Sequence, residues 1–154
     1  MVVGEVYGTN DSSWIWDPGS QSYSFVVVPG SAQNSTSVDA LNDNGQVVGW
    51  YTDSSGVTHG FLKQGKTYTT IDPPDSTYTL ANAINNNGTI VGAWGSLYGG
   101  FEGFIRTKDG AFTVLDVPCA LETQINGIND RGDICGVAVH PLTGEWTPFV
   151  AFKR

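Results

Sequence analysis

Three segments of this chain are similar enough to be aligned without gaps. They read DALNDNGQVVG at 39–49, NAINNNGTIVG at 82–92 and NGINDRGDICG at 126–136. Their first residues are separated by 43 and 44 positions, and residues 2–4 match the end of the same segment one period earlier. A period of this length is typical of a supersecondary unit that buries its faces against neighbouring copies. The repeat therefore constrains the fold more than any other feature.

Each period predicts four short antiparallel strands, labelled A to D. Strand A ends at Leu41, Ile84 or Ile128, an Asn- and Gly-rich hairpin follows, and strand B is the Val-Val-Gly or Ile-Val-Gly run. Strand C carries an aromatic residue, which we expect in the core between units: Trp14, Phe61, Phe104 and Phe149. Four strands at this period predict an all-β array of β-propeller type, with about 3.5 to 4 blades per chain.

We expect one repeat domain over residues 1–154. Its units span approximately 1–30, 31–74, 75–118 and 119–154, and are called units 1 to 4. Unit 1 begins in strand B and unit 4 ends in strand C, so their strands do not add up to one ordinary blade. Either the four units close as a small monomeric ring, or two chains join into a larger ring of about eight units. Because unpaired edges favour association, we predict a homo-oligomer.

Composition and charge narrow the classes of partner. The formal net charge of -8 repels phosphate backbones, so we expect no nucleic-acid partner. The sequence has neither an apolar run of membrane-spanning length nor a signal-peptide pattern, and we expect no membrane partner. Cys119 and Cys135 are too few for a disulfide scaffold. We expect buried free thiols, with a disulfide as the alternative.

Several of these segments resemble the bacterial HAF-type extracellular repeat, which is named after a His-Ala-Phe signature. The resemblance rests on Gly-Phe-Leu or Gly-Phe-Ile in strand C, TTIDP at 69–73 and AINNNGTIVG at 83–92. The nearest copy of the signature is His59-Gly60-Phe61. The resemblance implies a propeller-like protein at the cell surface or outside the cell, and it assigns no catalytic residue.

Polar residues recur in strand A at Asp39, Asn82 and Asn126. If strand A is the innermost strand, these side chains converge on the central axis and form a ring of oxygen atoms. Calcium takes six to eight oxygen ligands from carboxylates, amides and carbonyls, so the ring predicts a possible Ca²⁺ site. The alternative is that these side chains form hydrogen bonds between neighbouring units.

A calcium ion at the axis predicts a hydrolase that acts on a small ester or lactone, such as a lactone resembling an acyl-homoserine lactone. The ion would polarise the carbonyl group, and His140 or Glu122 would act as base for the attacking water. His140 stands outside the repeat pattern, and Glu122 occurs in a single unit. Propeller lactonases motivate this prediction by analogy of fold.

The competing prediction is a non-catalytic module that binds a glycan or a protein. Four aromatic residues in or near the loops between strands B and C would form its binding platform: Trp50, Trp94, Tyr98 and Trp146. Aromatic rings suit the apolar faces of sugars, although the same rings can cover blade edges. A structural fragment of a longer surface protein is the third alternative.

Overall fold

The computed structural model describes residues 1–6, 12–96 and 99–153, and every regular element in them is a β-strand. The all-β prediction is confirmed. None of the described residues forms a helix that is long and apolar enough to cross a membrane. The strands are β1 (Val2–Val6), β2 (Ser12–Asp17), β3 (Ser22–Val26), β4 (Ser31–Leu41), β5 (Gln46–Asp53), β6 (Thr58–Gln64), β7 (Thr67–Ile71), β8 (Ser76–Ile84), β9 (Ile90–Ser96), β10 (Phe101–Arg106), β11 (Phe112–Leu115), β12 (Thr123–Ile128), β13 (Ile134–Val139) and β14 (Trp146–Ala151).

These strands follow the predicted order B-C-D, A-B-C-D, A-B-C-D and A-B-C. Unit 1 contains β1 to β3, unit 2 β4 to β7, unit 3 β8 to β11 and unit 4 β12 to β14. Within each unit, consecutive strands pair antiparallel. A single parallel pairing of Thr58 with Tyr78 joins units 2 and 3, so the described strands form three sheets. The sequence therefore predicted each antiparallel unit strand by strand.

The glycine that ends each Val-Val-Gly run permits close approach of strands A and B. A Cβ atom on Gly92 would lie 1.9 Å from the backbone oxygen of Leu80 and 2.8 Å from the Phe104 ring. A Cβ atom on Gly49 or Gly136 would likewise lie 2.0 or 2.1 Å, respectively, from a backbone oxygen of strand A. Real Cβ atoms do not approach backbone oxygens so closely, and the repeat therefore requires glycine at this position.

Each unit has two faces, and both follow from the alternation of side chains along a strand. The front face carries the strand C aromatic, and the back face is the opposite one. The front face of unit 2 packs Val47 and Phe61 against Ile15 and Val26 on the back face of unit 1. The next two cores repeat this arrangement, with Phe104 and then Phe149 on the front face.

The units follow one another in an open row. Strand A of each unit contacts strand A of the next, as β4 with β8 and β8 with β12, whereas each strand D contacts mainly its own strand C. Among the described strands, no extensive packing joins unit 1 to unit 4. One face at each end of the row is consequently left uncovered.

Three predictions about burial need correction. Phe61 and Phe104 are fully buried, as predicted, and Phe149 is partly buried against the core between units 3 and 4. Trp14 is only half-buried, because none of the described units covers the front face of unit 1. Cys119 and Cys135 are free, as expected, but both are exposed. Cys135 lies on the back face of unit 4, opposite Val150, where none of the described units packs.

We predict that Gly92→Ala lowers the melting temperature strongly. The added methyl group must displace the backbone of Leu80, and overpacking of this kind costs about 1–3 kcal/mol. The control is Gly95→Ala in the same strand, where the nearest atom lies at 3.4 Å, an ordinary contact distance. Thermal unfolding followed by circular dichroism compares the two. Equal melting temperatures for the two variants would contradict this reading of the repeat glycine.

Candidate functional site

The recurrent Asn of the A–B hairpin connects successive units. The Asn85 Oδ1 atom accepts hydrogen bonds from the backbone N–H groups of Asn87 (3.1 Å) and Thr89 (3.0 Å). Its Nδ2 atom donates to the backbone oxygen of Asn129 in unit 4 at 3.0 Å. Asn42 likewise donates to the backbone oxygen of Asn85 at 2.9 Å. These amides therefore close their own hairpin and bind it to the next one.

A second row of side chains reinforces this connection at the surface. Asn86 donates from Nδ2 to carboxylate oxygens of Asp43 (2.8 Å) and Asp130 (3.0 Å). The backbone N–H group of Asp43 donates to Asn86 Oδ1 at 2.8 Å. The backbone N–H group of Asn86 donates in the same way to Asp130 Oδ1 at 2.8 Å. The polar residues of the hairpins thus serve the scaffold.

The predicted calcium ligands occupy equivalent positions in strand A. The strand register shifts at Asp39, Asn82 and Asn126, so each is the extra residue of a β-bulge. Asn82 Nδ2 donates to the backbone oxygen of Ile125 at 2.9 Å and contacts Asn126 Oδ1 at 3.3 Å. Ser37 donates to Asp39 Oδ1 at 3.3 Å. The structure therefore brings two of the three together directly and uses the Asn82 amide as a bond between units.

Tyr78 lies near the first member of this row. Burial raises the pKa of the Tyr78 hydroxyl, and the Asp39 carboxylate raises it further. No group of three or more His, Cys, Asp or Glu side chains in the described part of the chain is arranged to hold a metal ion. The calcium site, with the Asp39 carboxylate and the amide oxygens of Asn82 and Asn126 as ligands, stays a prediction.

The predicted catalytic residues, Glu122 and His140, lie near each other at the N-terminal end of strand β12. The Glu122 backbone oxygen accepts a hydrogen bond from Val139, the residue before His140. His140 is exposed and lines a mainly apolar cavity of about 260 Å³ with Val139, Pro148 and neighbouring residues. Glu122 precedes Asn126 by four residues, which is about 13 Å along an extended strand. The structure thus separates His140 and Glu122 from the row of bulge residues.

The predicted aromatic platform is dispersed over the units. Trp146 is exposed and lies on the back face of unit 4, and Trp50 is half-buried on the back face of unit 2. Trp94 is buried in the core between units 2 and 3, so the prediction that it is exposed is wrong. It is buried because it points from the front face of unit 3 toward unit 2. Tyr98 lies outside the described residues.

His59 is held between two carboxylates beside the loops that join strands B and C. Its Nδ1 atom lies 2.8 Å from Asp72 Oδ2, and its Nε2 atom lies 3.5 Å from Asp53 Oδ2. Backbone hydrogen bonds from Val57 and Ser55, together with His59, lower the pKa of Asp53. The His59 side chain is 21% exposed, so this contact is accessible to solvent.

Unit 3 places different chemistry at the same position of the repeat. Glu102 replaces His59, and Asp116 occupies the place of Asp72 at the end of strand D. Burial raises the pKa of Glu102, and the Asp116 carboxylate raises it further. Burial also raises the pKa of Asp116, partly offset by a hydrogen bond from the backbone of Gly103. A pair formed by His and Asp in unit 2 is therefore a pair of carboxyl groups in unit 3.

These residues define the variable end of the molecule. It contains the B–C loops and the segments after strand D, with the following side chains: Asp53, His59, Asp72, Glu102, Asp116, Glu122 and His140. Asp72 and Asp116, the partners of His59 and Glu102, were not predicted from the sequence. The signal was present, because an Asp follows strand D in both complete units, at Ile71-Asp72 and Leu115-Asp116.

Comparison of the sequence with protein-family models and with curated proteins found no match.

We predict that Glu102→Gln stabilises the protein near neutral pH. A carboxyl group whose pKa is raised by folding contributes stability below its unfolded pKa and loses that contribution as the pH rises through its folded pKa. Removing the charge should therefore raise the melting temperature at about pH 7, and the gain should shrink toward about pH 4. The matched control is Glu145→Gln at an exposed loop position. A gain that is independent of pH would contradict the prediction.

Proposed function

We propose that this chain is a non-catalytic binding module of propeller type, from a surface or secreted protein, and that it binds a neutral carbohydrate at its variable end. The observation that carries the proposal is the change from His59 with Asp72 to Glu102 with Asp116 on otherwise equivalent units. The first hairpin residue (Asn42, Asn85, Asn129) and the strand C aromatic keep the same chemistry from unit to unit. Residues that change between equivalent positions of the units are not required by the scaffold, and they are therefore available to bind a ligand.

The chemistry of the variable end suits a polyhydroxylated ligand. Carboxylates accept hydrogen bonds from sugar hydroxyl groups, and such charge-assisted bonds are stronger than neutral ones. The net charge of -8 disfavours anionic glycans. A neutral glycan is therefore the favoured class.

The position of the predicted catalytic residues favours binding over hydrolysis. Glu122 lies about 13 Å along the strand from the nearest bulge residue, Asn126, and His140 follows the residue that is hydrogen-bonded to Glu122. A metal ion at the bulge row would then act far from the proposed base, whereas general-base catalysis requires hydrogen-bond reach. The cavity beside His140 is the observation that keeps the calcium-assisted hydrolase as a second candidate.

An array of immobilised neutral and anionic oligosaccharides tests the proposed function. We expect binding of neutral glycans, and a loss of at least about tenfold in affinity for Glu102→Gln, since one charge-assisted hydrogen bond contributes about 1.5–3 kcal/mol. Asp109→Asn, in the C–D turn at the opposite end of unit 3, is the control and should bind like the unmodified chain.

Two results would contradict the proposed function. One is the absence of glycan binding across the array. The other is hydrolysis of a lactone or ester that requires calcium and disappears on chelation, which would replace the binding module by the hydrolase.

A further inference from the structure

The same pair of surfaces meets at every internal boundary of the row. The front face of units 2, 3 and 4 each packs on the back face of the preceding unit. At the last boundary, Ile125 and Ile134 of unit 4 cover Val91 of unit 3, and all three are almost fully buried. Three repetitions show that a front face and a back face of this repeat are complementary.

The front face of unit 1 is also apolar, but none of the described units covers it. Four of its apolar side chains are more than half exposed: Val2 (54%), Tyr23 (65%), Phe25 (68%) and Val27 (65%). Trp14 and Trp16 lie between them, and the Tyr23 ring contacts both, with ring centroids 5.4 and 4.5 Å apart. Strand pairing places these rings on one face, since Trp14 lies opposite Phe25 and Trp16 opposite Tyr23.

The back face of unit 4 is the uncovered counterpart. Cys135, Val137 and Val139 lie opposite Val150, Pro148 and Trp146, respectively. Val150 is 61% exposed and Phe152 beyond it is 73% exposed. The residues equivalent to Cys135 in the two complete units, Val48 and Val91, are fully buried. Cys135 is exposed because none of the described units packs on this face.

We propose that a second copy of this chain covers these surfaces, with the front face of unit 1 of one copy docked on the back face of unit 4 of the other. The occupant follows from continuity, because the contact repeats the packing already present at each internal boundary. The two surfaces differ, so the contact is heterologous and joins copies head to tail. Two such contacts close a ring of two copies and leave no apolar face exposed.

Burial of apolar side chains drives this contact, whereas the charge of the chain opposes it. Two copies that each carry a net charge of -8 repel one another, and salt screens that repulsion. Association should therefore strengthen as the salt concentration rises. This response is the opposite of that of a contact held by ion pairs.

A disulfide test follows from the alignment of the units. Val2 corresponds to Ile134, and Cys135 corresponds to Val91, which meet at the boundary of units 3 and 4. In a Cys119→Ser background, Val2→Cys should form an intermolecular disulfide between the introduced thiol and Cys135 under mild oxidation. Peptide mass mapping identifies the linked residues, and the further substitution Cys135→Ser should abolish that link. Linkage of Cys135 to Cys135 alone would show a symmetric contact and overturn the proposal.

Sedimentation of the unmodified chain provides the second measurement. We expect a species of at least twice the 16.4 kDa chain mass, more populated at higher salt. Val2→Asp should shift it to the monomer, because the equivalent residues Val47, Ile90 and Ile134 are buried at the internal boundaries, whereas Val57→Asp, in a loop of unit 2, should leave it unchanged. Retention of the circular dichroism spectrum shows that Val2→Asp still folds. A monomer at all salt and protein concentrations would overturn the proposal, whether or not the chain binds glycans.

Discussion

The hydrogen bonds of the A–B hairpins are the interaction on which the rest of the structure depends. Asn85 uses its side-chain oxygen to close its own hairpin and its amide nitrogen to hold the hairpin of the next unit. The side chain is buried, so an amide without these partners would cost about 1–3 kcal/mol. The same bonds fix the spacing at which a front face meets a back face. Register between units 2, 3 and 4 and burial of the two cores between them are therefore coupled.

Much of the fold could be predicted from the sequence, because the residues that one unit requires recur at the same positions in three aligned segments. Gly92 has to be glycine where strand A approaches, and Asn85 has to be Asn where one side chain serves two hairpins. The burial of individual residues could not be predicted from the repeat. Trp14 and Cys135 occupy core positions of the repeat, yet they lie on end faces where no neighbour removes them from water. Burial depends on what packs next to a unit as well as on its own pattern.

The candidate site could be predicted less well, for a related reason. Repetition made Asp39, Asn82 and Asn126 conspicuous, but repetition is also what a scaffold produces, and the Asn82 amide is bonded to the next unit. The chemistry that differs between units is at Glu102, where a carboxyl group replaces His59 beside a recurring Asp. Recognising it required the pairing of strands C and D, which brings residues 102 and 116 together. A constant scaffold with a variable end is the arrangement that supports a binding module.

The most direct test of this account is the free energy of unfolding of Asn85→Asp, measured by urea denaturation. The variant keeps an acceptor for the two hairpin N–H groups and loses the donor to unit 4. Asn126→Asp adds the same charge while keeping the acceptor for Asn82, and serves as control. We predict that Asn85→Asp is less stable than Asn126→Asp by about 1–3 kcal/mol. Equal stability of the two variants would show that the hairpin bonds do not hold the units together.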